Sequence, residues 1–422
     1  METTPGTQVP ATKRLLGTSF DPQPNIPTIP FRALGSLTPT TAIQQKEWTA
    51  GNIGGVMSYN DLIYLYNSLL VSVSPSTPAN AVNTRRWSFK PNQFAPDAFK
   101  SFTIQRGSPS GSAESWGYCM IDSLTHRWTR VEAVQSGTFF GQALAEQITL
   151  TGGPTDIAPL PIDPKSVTLY AGTSTTINAV QTVTISTGGG AATGGTFTLS
   201  LDNQTTGAIA FNATAATVQT ALQLLTNINT NNATVSGAAG GPYTVTFADR
   251  LAGVDPSLLI GNGTALTGPG SPYTVTAVKT TPGGMSKLLR VSSFEWALPS
   301  RFTPEFTLNQ GDPSFSYFVN KGMEPVSTLV LEHESVSAGY MASLRAKTQT
   351  FLCLIAWGPT IEVSGSIQFS NALRLVMPFK FTQSARGDVD DIYASTFTLS
   401  QQYDSTFAGY LQIDVDNALT AL

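Results

Sequence analysis

The feature that most constrains the fold is an abrupt change of composition near residue 178. From there to residue 283 the chain is almost entirely Thr, Ala, Gly, Asn, Val and Leu, with no Trp, Cys, Met, Glu or His. Glycine-rich stretches at 188–190 and 282–284 lie near its two ends. A segment with its own composition between flexible boundaries is typical of an inserted domain. We therefore predict a small inserted domain at 178–283.

The insert itself is predicted to be β-rich with one helix. Val218, Leu222 and Leu225 fall on one helical face, which predicts a helix over residues 214–225. The phrase Pro-Tyr-Thr-Val-Thr occurs at 242–246 and again at 272–276, and its alternation predicts strands. The insert carries five charged residues: Asp202, Asp249, Arg250, Asp255 and Lys279.

The segment before residue 46 is marked by its prolines. Seven prolines lie within residues 1–45, which excludes a helix and makes a central strand unfavourable. We expect an extended N-terminal arm that is either disordered or ordered only against a neighbouring subunit. The first 30 residues also lack the apolar core of a signal peptide.

The two segments that flank the insert, 46–177 and 284–422, share one pattern. Each contains a predicted helix followed by several alternating strands. The first helix is predicted to be capped by Ser58, with Asp61 three positions later, and the second to span 337–347. The shared order suggests an internal duplication, so that the second segment either completes the first domain or repeats it.

Charge and hydropathy exclude several functions. Charged residues make up 12% of the chain and the net charge is −4, so there is no basic excess to bind nucleic acid tightly. The longest apolar run, 351–357, is too short to cross a bilayer, and no membrane insertion is expected. So few charges imply a surface that is either covered by Thr, Ser, Asn, Gln and Gly or buried against other subunits. Cys119 and Cys353 are either buried free thiols or a disulfide.

The residues needed for catalysis are missing from the sequence. His126 and His333 are the two histidines, which leaves little for metal or triad chemistry. The stretch 107–111 imitates a nucleophile elbow, but Pro109 occupies the position of the serine. No phosphate-binding loop occurs. We therefore expect no enzyme, no cofactor and no metal site.

Four stretches of the flanking segments carry recognisable short phrases: 54–70, 117–150, 291–334 and 373–417. Together they resemble the major tail tube proteins of long-tailed, non-contractile bacteriophages. The insert is separately similar to an Ig-like β-rich decoration module of phage structural proteins, through 194–199, 213–222 and 241–247.

The resemblance implies a mainly β fold of curled β-sandwich or barrel tail-tube domains with flanking helices, plus the β-rich insert. It also implies self-assembly into stacked rings that form a hollow tube. Two tube domains per chain would give a ring of three subunits with pseudo-sixfold symmetry, and one would give a true hexamer. Such a protein is made in the host cytoplasm and resides in the virion tail.

The same resemblance implies a set of partners and a surface that lines the lumen. The expected partners are the tape-measure protein, the tail terminator, the baseplate or distal tail proteins, and double-stranded DNA that passes without tight binding. Acids facing the lumen would repel DNA phosphates, and Asp388, Asp390 and Asp391 are candidates. The alternatives for this stretch are a solvated loop and a weak calcium site. The alternatives are a virion adhesin that binds carbohydrate through Tyr243 and Tyr273, another virion component, and a secreted enzyme.

Overall fold

The fold is mainly β, which confirms the predicted class. The computed structural model describes residues 1–108, 111–150, 153–186, 189–308, 314–322, 324–332, 335–389 and 391–422. Strands hold 52% of the residues and helices 8%. No closed barrel occurs in these described ranges.

In its described residues, the chain up to residue 283 contains 22 strands and two helices. Before the insert lie β1 Lys13–Leu15, β2 Thr18–Asn25, β3 Thr28–Phe31, β4 Thr41–Gln44, β5 Trp48–Val56, α1 Leu62–Leu69, β6 Arg85–Phe89, β7 Phe102–Gly107, β8 Ala113–Thr129, β9 Ala133–Gly141, β10 Leu144–Ile148, β11 Thr155–Ile157 and β12 Val167–Gly172. The insert contains β13 Val180–Ser186, β14 Gly194–Leu201, β15 Gln204–Thr205, β16 Ile209–Ala210, α2 Ala215–Gln223, β17 Ala233–Gly237, β18 Tyr243–Phe247, β19 Val254–Asp255, β20 Ile260–Asn262, β21 Leu266–Thr267 and β22 Thr274–Thr281.

The second flanking segment completes the fold. Its elements are β23 Met285–Lys287, β24 Val291–Leu298, β25 Phe302–Glu305, β26 Tyr317–Asn320, β27 Val326–Glu332, α3 Ser335–Ala346, β28 Thr350–Ser364, β29 Ile367–Val389, β30 Ile392–Gln401 and β31 Gln412–Asn417. Short 3-10 turns occur at Pro164–Ser166 and Asp249–Leu251. The predicted helices at 214–225 and 337–347 are confirmed by α2 and α3 within a few residues.

One large sheet runs through both flanking segments. Its strand order is β19-β23-β12-β28-β29-β30-β27-β24-β8-β9-β5-β2, with β6, β7, β10 and β31 attached at the sides. The core beneath it draws side chains from both segments, including Tyr66, Trp116, Trp296 and Phe379. The flanking segments therefore share one continuous core.

The large sheet contains the same topology twice. In repeat 1, residues 18–148, β2 pairs with β5, β5 with β9, and β9 with β8. In repeat 2, residues 291–417, β24 pairs with β27, β27 with β30, and β30 with β29. The first half of β8 lies between β7 and β10, and the first half of β29 lies between β28 and β31. Each repeat also has a helix after its second paired strand, α1 or α3.

The two repeats agree to the level of single residues. The β8·β9 register shifts just after Ile121, and the β29·β30 register shifts just after Phe381. Following the strand pairings outward from these two bulges matches Ile53 of β5 to Leu329 of β27. Phe20 of β2 lies opposite Ile53, and Phe294 of β24 lies opposite Leu329, so Phe20 and Phe294 are equivalent. A bulge at one equivalent position in both repeats fixes their correspondence, because it sets the register on both sides.

Each repeat places its helix against its longest strand. In repeat 1 the Tyr66 hydroxyl of α1 lies 3.0 Å from Nε2 of His126 on β8. In repeat 2 the ring of Tyr340 on α3 packs against Phe381 of β29 at 5.3 Å between centroids. Strand β6 has no counterpart among the described residues of repeat 2 and pairs with β31 instead.

The insert forms two small sheets of its own. One has the order β17-β18-β13-β22, and the other is built around β14. Their core is continuous with body residues, because Tyr170, Phe351 and Ile355 belong to the same buried cluster as Phe197 and Val245. The insert is thus packed against the body through an apolar contact. The domain boundaries themselves stay a prediction.

Two local expectations from the sequence have clear outcomes. The N-cap residue of α1 is Asp61, not Ser58, so the predicted cap is wrong. The Asp61 carboxylate accepts a hydrogen bond from the Thr18 hydroxyl at 2.8 Å instead of capping the helix, and the Ser58 hydroxyl accepts from the backbone of Asn60 and Leu160. Of the two readings for Cys119 and Cys353, the structure has the buried free thiols.

Candidate assembly surfaces

Among the open strand edges of the large sheet, two belong to the outer ends of the two repeats. Strand β2 is at one end of the strand order and pairs only with β5 among the described residues. In β29, residues 383–389 pair with β30 on one side, while the pairing with β28 stops at Phe379. Most side chains of 382–388 are exposed. Open edges offer unpaired N–H and C=O groups to another strand.

The equivalents of these two edges pair with each other where repeat 1 meets repeat 2. Strand β24, the counterpart of β2, pairs with β8 along Ser293–Thr129 through Leu298–Leu124. The inward side chains at this junction are buried and stacked, with Trp128 on Phe294 and His126 on Trp296, each at 5.5 Å between ring centroids. The junction that is buried and paired inside the chain therefore has two unpaired equivalents: β2 in repeat 1 and the second half of β29 in repeat 2.

A cavity of about 600 Å³ lies beside the open edge of β2. Its lining includes Phe20 and Pro22 of β2, Phe102 and Ile104 of β7, and Tyr64 of α1. Phe20 corresponds to Phe294, which Trp128 covers at the internal junction. The cavity therefore occupies the position where the internal junction is filled by side chains of the adjoining strand.

The outer face of the large sheet is polar and lightly charged. One row of directly paired residues crosses repeat 1 as Asp21, Asn52, Thr138 and Ser123. The equivalent row of repeat 2 is Glu295, Thr328, Thr398 and Gln383. Asp21 and Glu295 thus occupy the same place in the two repeats. Sequence reasoning missed both acids, because only the register reveals their equivalence.

A second apolar feature projects from the edge of repeat 1. Strands β3 and β4 form a hairpin beyond β2 and β5, with Ile29 directly opposite Ile43. Ile29, Phe31 and Ile43 lie on one face and are each half exposed or more, and Leu34 and Leu37 at the tip are almost fully exposed. Repeat 2 has the corresponding hairpin β25·β26. Residues 1–15 instead lie against the body, where Glu2 is buried and accepts hydrogen bonds from Ser101 and Thr103.

Two of the three acids predicted to face a lumen lie at the tip of the β29·β30 hairpin. Asp388 and Asp391 are exposed, and Asp391 has φ of 62°, as the turn between the two strands requires. Asp390 is outside the described residues. Asp388 lies directly opposite Tyr393 across the hairpin. The structure brings Asp388 and Asp391 together at one projecting tip, and their lumen role stays a prediction.

Buried charges join the insert to the body. Arg250 of the insert is 1% exposed and forms ion pairs with Asp414 and Asp416 of β31. Arg86 of β6 bridges two carboxylates: Nη1 and Nη2 donate to Asp249 of the insert, and Nε and Nη2 donate to Asp416. Burial alone raises the pKa of Asp414, but Arg250 and Arg374 hold that pKa below its usual range. Paired, ionised groups of this kind fix the orientation of the insert.

The described residues offer no catalytic or metal-binding arrangement. No group of three or more His, Cys, Asp or Glu side chains that could hold a metal ion occurs among them. His126 is fully buried, and that burial lowers its pKa to about 3, so its imidazole is neutral. His333 is outside the described residues. Within the same ranges, no helix is long and apolar enough to cross a membrane.

The two tyrosines considered for carbohydrate binding are part of the insert core. Tyr243 is fully buried, and its hydroxyl donates to the carbonyl of Ala213 at 2.7 Å. Tyr273 is 4% exposed, and its hydroxyl accepts a hydrogen bond from the backbone of Gly270. Rings held in this way cannot stack on a sugar, so a carbohydrate-binding face built on them is wrong.

Comparison with known proteins gives one partial likeness. No family model matches the chain. Over 79 residues the chain is 46% identical to a protein named tail sheath protein from Mycobacterium phage Bxz1. The matched stretch is 19% of this chain, and the chain spans about 13% of the length of that curated relative.

Proposed function

We propose that this chain is a non-enzymatic structural protein of a bacteriophage tail, and that copies of it form stacked rings that make the hollow tube through which DNA leaves the virion. The partial likeness to a phage tail sheath protein supports the tail assignment. It covers too little of either chain to specify the role. The tube assignment rests on the fold.

The observation that carries the proposal is the internal repeat with an open edge at each end. The contact between repeat 1 and repeat 2 exists once inside the chain. If the rotation that relates the two repeats is applied again, the same contact joins repeat 2 of one copy to repeat 1 of the next. Such head-to-tail contacts close into a ring, and closure removes exposed sheet edges. Two repeats per chain support a ring of three subunits with six equivalent repeats rather than a hexamer of six chains.

A tube also needs a wall that does not retain DNA. The polar outer face of the large sheet suits this role, because it is dominated by Ser, Thr and Asn with Asp21 and Glu295 at equivalent positions. In a ring of six repeats these acids would form one circle, in which Arg127 opposite Glu295 and Arg106 at 3.8 Å from Asp21 offset part of the negative charge, so that the wall does not attract phosphate groups. Asp388 and Asp391 remain alternative lumen residues at the hairpin tip.

Charge reversal tests the lumen assignment. Phage complemented with Asp21→Lys plus Glu295→Lys should assemble tails of normal appearance but deliver DNA more slowly, because a basic ring holds the backbone. Asp391→Lys is the matched change at the hairpin tip. If only the tip change slows DNA delivery, the polar sheet face does not line the lumen.

The assembly claim has a direct test in the purified protein. Negative-stain microscopy at rising concentration should show stacked rings or open tubes, whereas stable monomers would contradict the proposal. The tape-measure, terminator and distal tail proteins follow as proposed partners of a tube. Their binding can be tested by adding each one to preformed tubes.

The likeness to a sheath protein raises a second candidate, an outer layer of the tail. The matched 79 residues are fewer than the residues of the insert, so a single module shared by two tail proteins would account for the likeness. Assembly separates the candidates. A tube protein forms hollow particles alone, and a sheath component orders only around a preformed tube.

A further inference from the structure

From the internal junction we infer which strands join neighbouring copies and in which register. The inference rests on the proposed function. In the subunit contact, β2 of one copy pairs antiparallel with residues 384–389 of β29 in the next copy. Strand β24 makes the equivalent contact with β8 inside each chain. The partner is thus a second copy of this chain.

The register follows from residue equivalence. The two bulges match β8 to β29, and the chain of pairings matches β2 to β24. At the internal junction Ser293 lies opposite Thr129, and Glu295 lies opposite Arg127. Between copies, these pairs become Ser19 opposite Val389 and Asp21 opposite Gly387. Gln23 then lies opposite Ala385, on the same polar face of the sheet.

The difference in burial between equivalent strands supports this contact. The inward residues His126 and Trp128 of β8 are buried under β24. Their counterparts in repeat 2, Arg386 and Asp388, are exposed. On the other side, the cavity beside Phe20 is open in the place where Trp128 covers Phe294. One copy therefore has an uncovered strand, and the other has a cavity at the matching place, which residues 9–15 of the same chain also line.

Two prolines determine which kind of edge β2 presents. Pro22 and Pro24 have no N–H, yet the ladder with β5 continues through both positions. Their backbone groups therefore face the open side, where they offer carbonyl acceptors and no donors. Two β2 edges cannot pair well with each other along this stretch. The N–H groups of residues 384 and 386 of another copy supply the donors instead.

In this contact Asp388 does not face a lumen. Asp388 would lie opposite Phe20 of the neighbouring copy, inside the junction and on the side away from the polar face. Asp21 would remain on the polar face next to Gly387. The lumen acids would then be Asp21 and Glu295, in agreement with their equivalence within the chain.

Cysteine cross-linking tests the register. Residues directly opposite in an antiparallel pair have Cα atoms about 4.5–5.5 Å apart, which is within the disulfide range. Gln23 and Ala385 lie outside the buried core of the single chain, and both native cysteines are buried. Assemblies of Gln23→Cys plus Ala385→Cys should form disulfides between copies on mild oxidation, up to closed covalent rings. A mixture of the two single variants should give covalent pairs and nothing larger.

A shifted pair is the matched control. Gln23→Cys with Arg386→Cys moves one cysteine to the opposite face of the sheet, so its cross-linked species should be lost. Particles of the Gln23→Cys plus Ala385→Cys variant that assemble without a disulfide between copies, or that cross-link no better than the shifted pair, would overturn this junction and leave the tube proposal standing. Failure of every variant and of the native chain to assemble would overturn both.

Discussion

Arg250 of the insert and Asp416 of the last strand form a buried ion pair across 166 positions of sequence. Nε of Arg250 lies 2.9 Å from the Asp416 carboxylate, and Arg86 approaches the same carboxylate from β6. The insert is therefore held by charge as well as by apolar packing. A module held in this way keeps one orientation relative to the body.

Replacing Arg250 should weaken the whole fold. Arg250→Met leaves the carboxylates of Asp414 and Asp416 buried with fewer cations, and breaking a buried pair in this way costs about 3–5 kcal/mol. We expect a clear fall in the urea midpoint of unfolding. Arg14→Met is the control, because Arg14 and Asp156 form an exposed pair, and we expect no measurable change there. Equal midpoints for both variants would contradict a role for the buried pair.

His126 should make the protein sensitive to acid. In the folded state burial lowers its pKa to about 3, whereas in the unfolded chain the pKa is about 6.5. Below pH ~6.5 the unfolded chain therefore binds a proton that the folded protein does not, and the free energy of unfolding falls as the pH drops toward 3.

The variant His126→Gln tests this directly. Gln retains a polar group for the Tyr66 hydroxyl and does not titrate, so the variant should lose less stability than the native protein between about pH 7.5 and about pH 4. Urea unfolding at the two pH values gives the comparison. If both proteins lose the same amount, His126 does not contribute to acid sensitivity.

Glu362 should hold the loop before β6 in place. Its carboxylate accepts hydrogen bonds from the backbone N–H groups of Val82, Asn83 and Thr84 and from the Thr84 hydroxyl. Partial burial raises the pKa of Glu362, but these donors outweigh it and the pKa lies below the usual value. The stabilisation is present above pH ~4.5 and is lost as the pH falls through the lowered pKa.

Hydrogen exchange measures this effect. In Glu362→Gln the amides of Val82 and Asn83 should exchange faster at neutral pH, because one acceptor oxygen is replaced by a donor. Glu146→Gln, at an exposed carboxylate of β10, is the control and should leave both amides unchanged. Unaltered exchange in Glu362→Gln would show that the loop is held by other contacts.

The two cysteines should be unreactive in the folded protein. Cys119 and Cys353 are fully buried free thiols, and burial raises the pKa of each. A thiol reagent should therefore modify neither until the protein is unfolded in denaturant, when both should react. Prompt reaction in the native protein would place at least one thiol at an accessible surface.

Local features of the fold were predictable, because they depend on neighbouring residues. The spacing of Val218, Leu222 and Leu225 placed α2 correctly, with Thr214 as its N-cap. The cap of α1 was not predictable in the same way. Asp61 binds Thr18, which is distant in sequence, and that tertiary contact replaces the local cap.

Features that depend on register were out of reach of the sequence. Nothing local relates Phe20 to Phe294 or Asp21 to Glu295, since each pair is matched only through strand pairings and two bulges. The order of helix and strands did suggest a duplication, but not which edges it leaves open. The pairing of Arg250 with Asp416 likewise requires the folded chain.

The most direct test is electron microscopy of the purified protein with class averages along the ring axis. We expect hollow rings and tubes in which three copies give six similar lobes around an open centre. Monomers that persist at high concentration, or solid fibres without a lumen, would contradict the proposed tube.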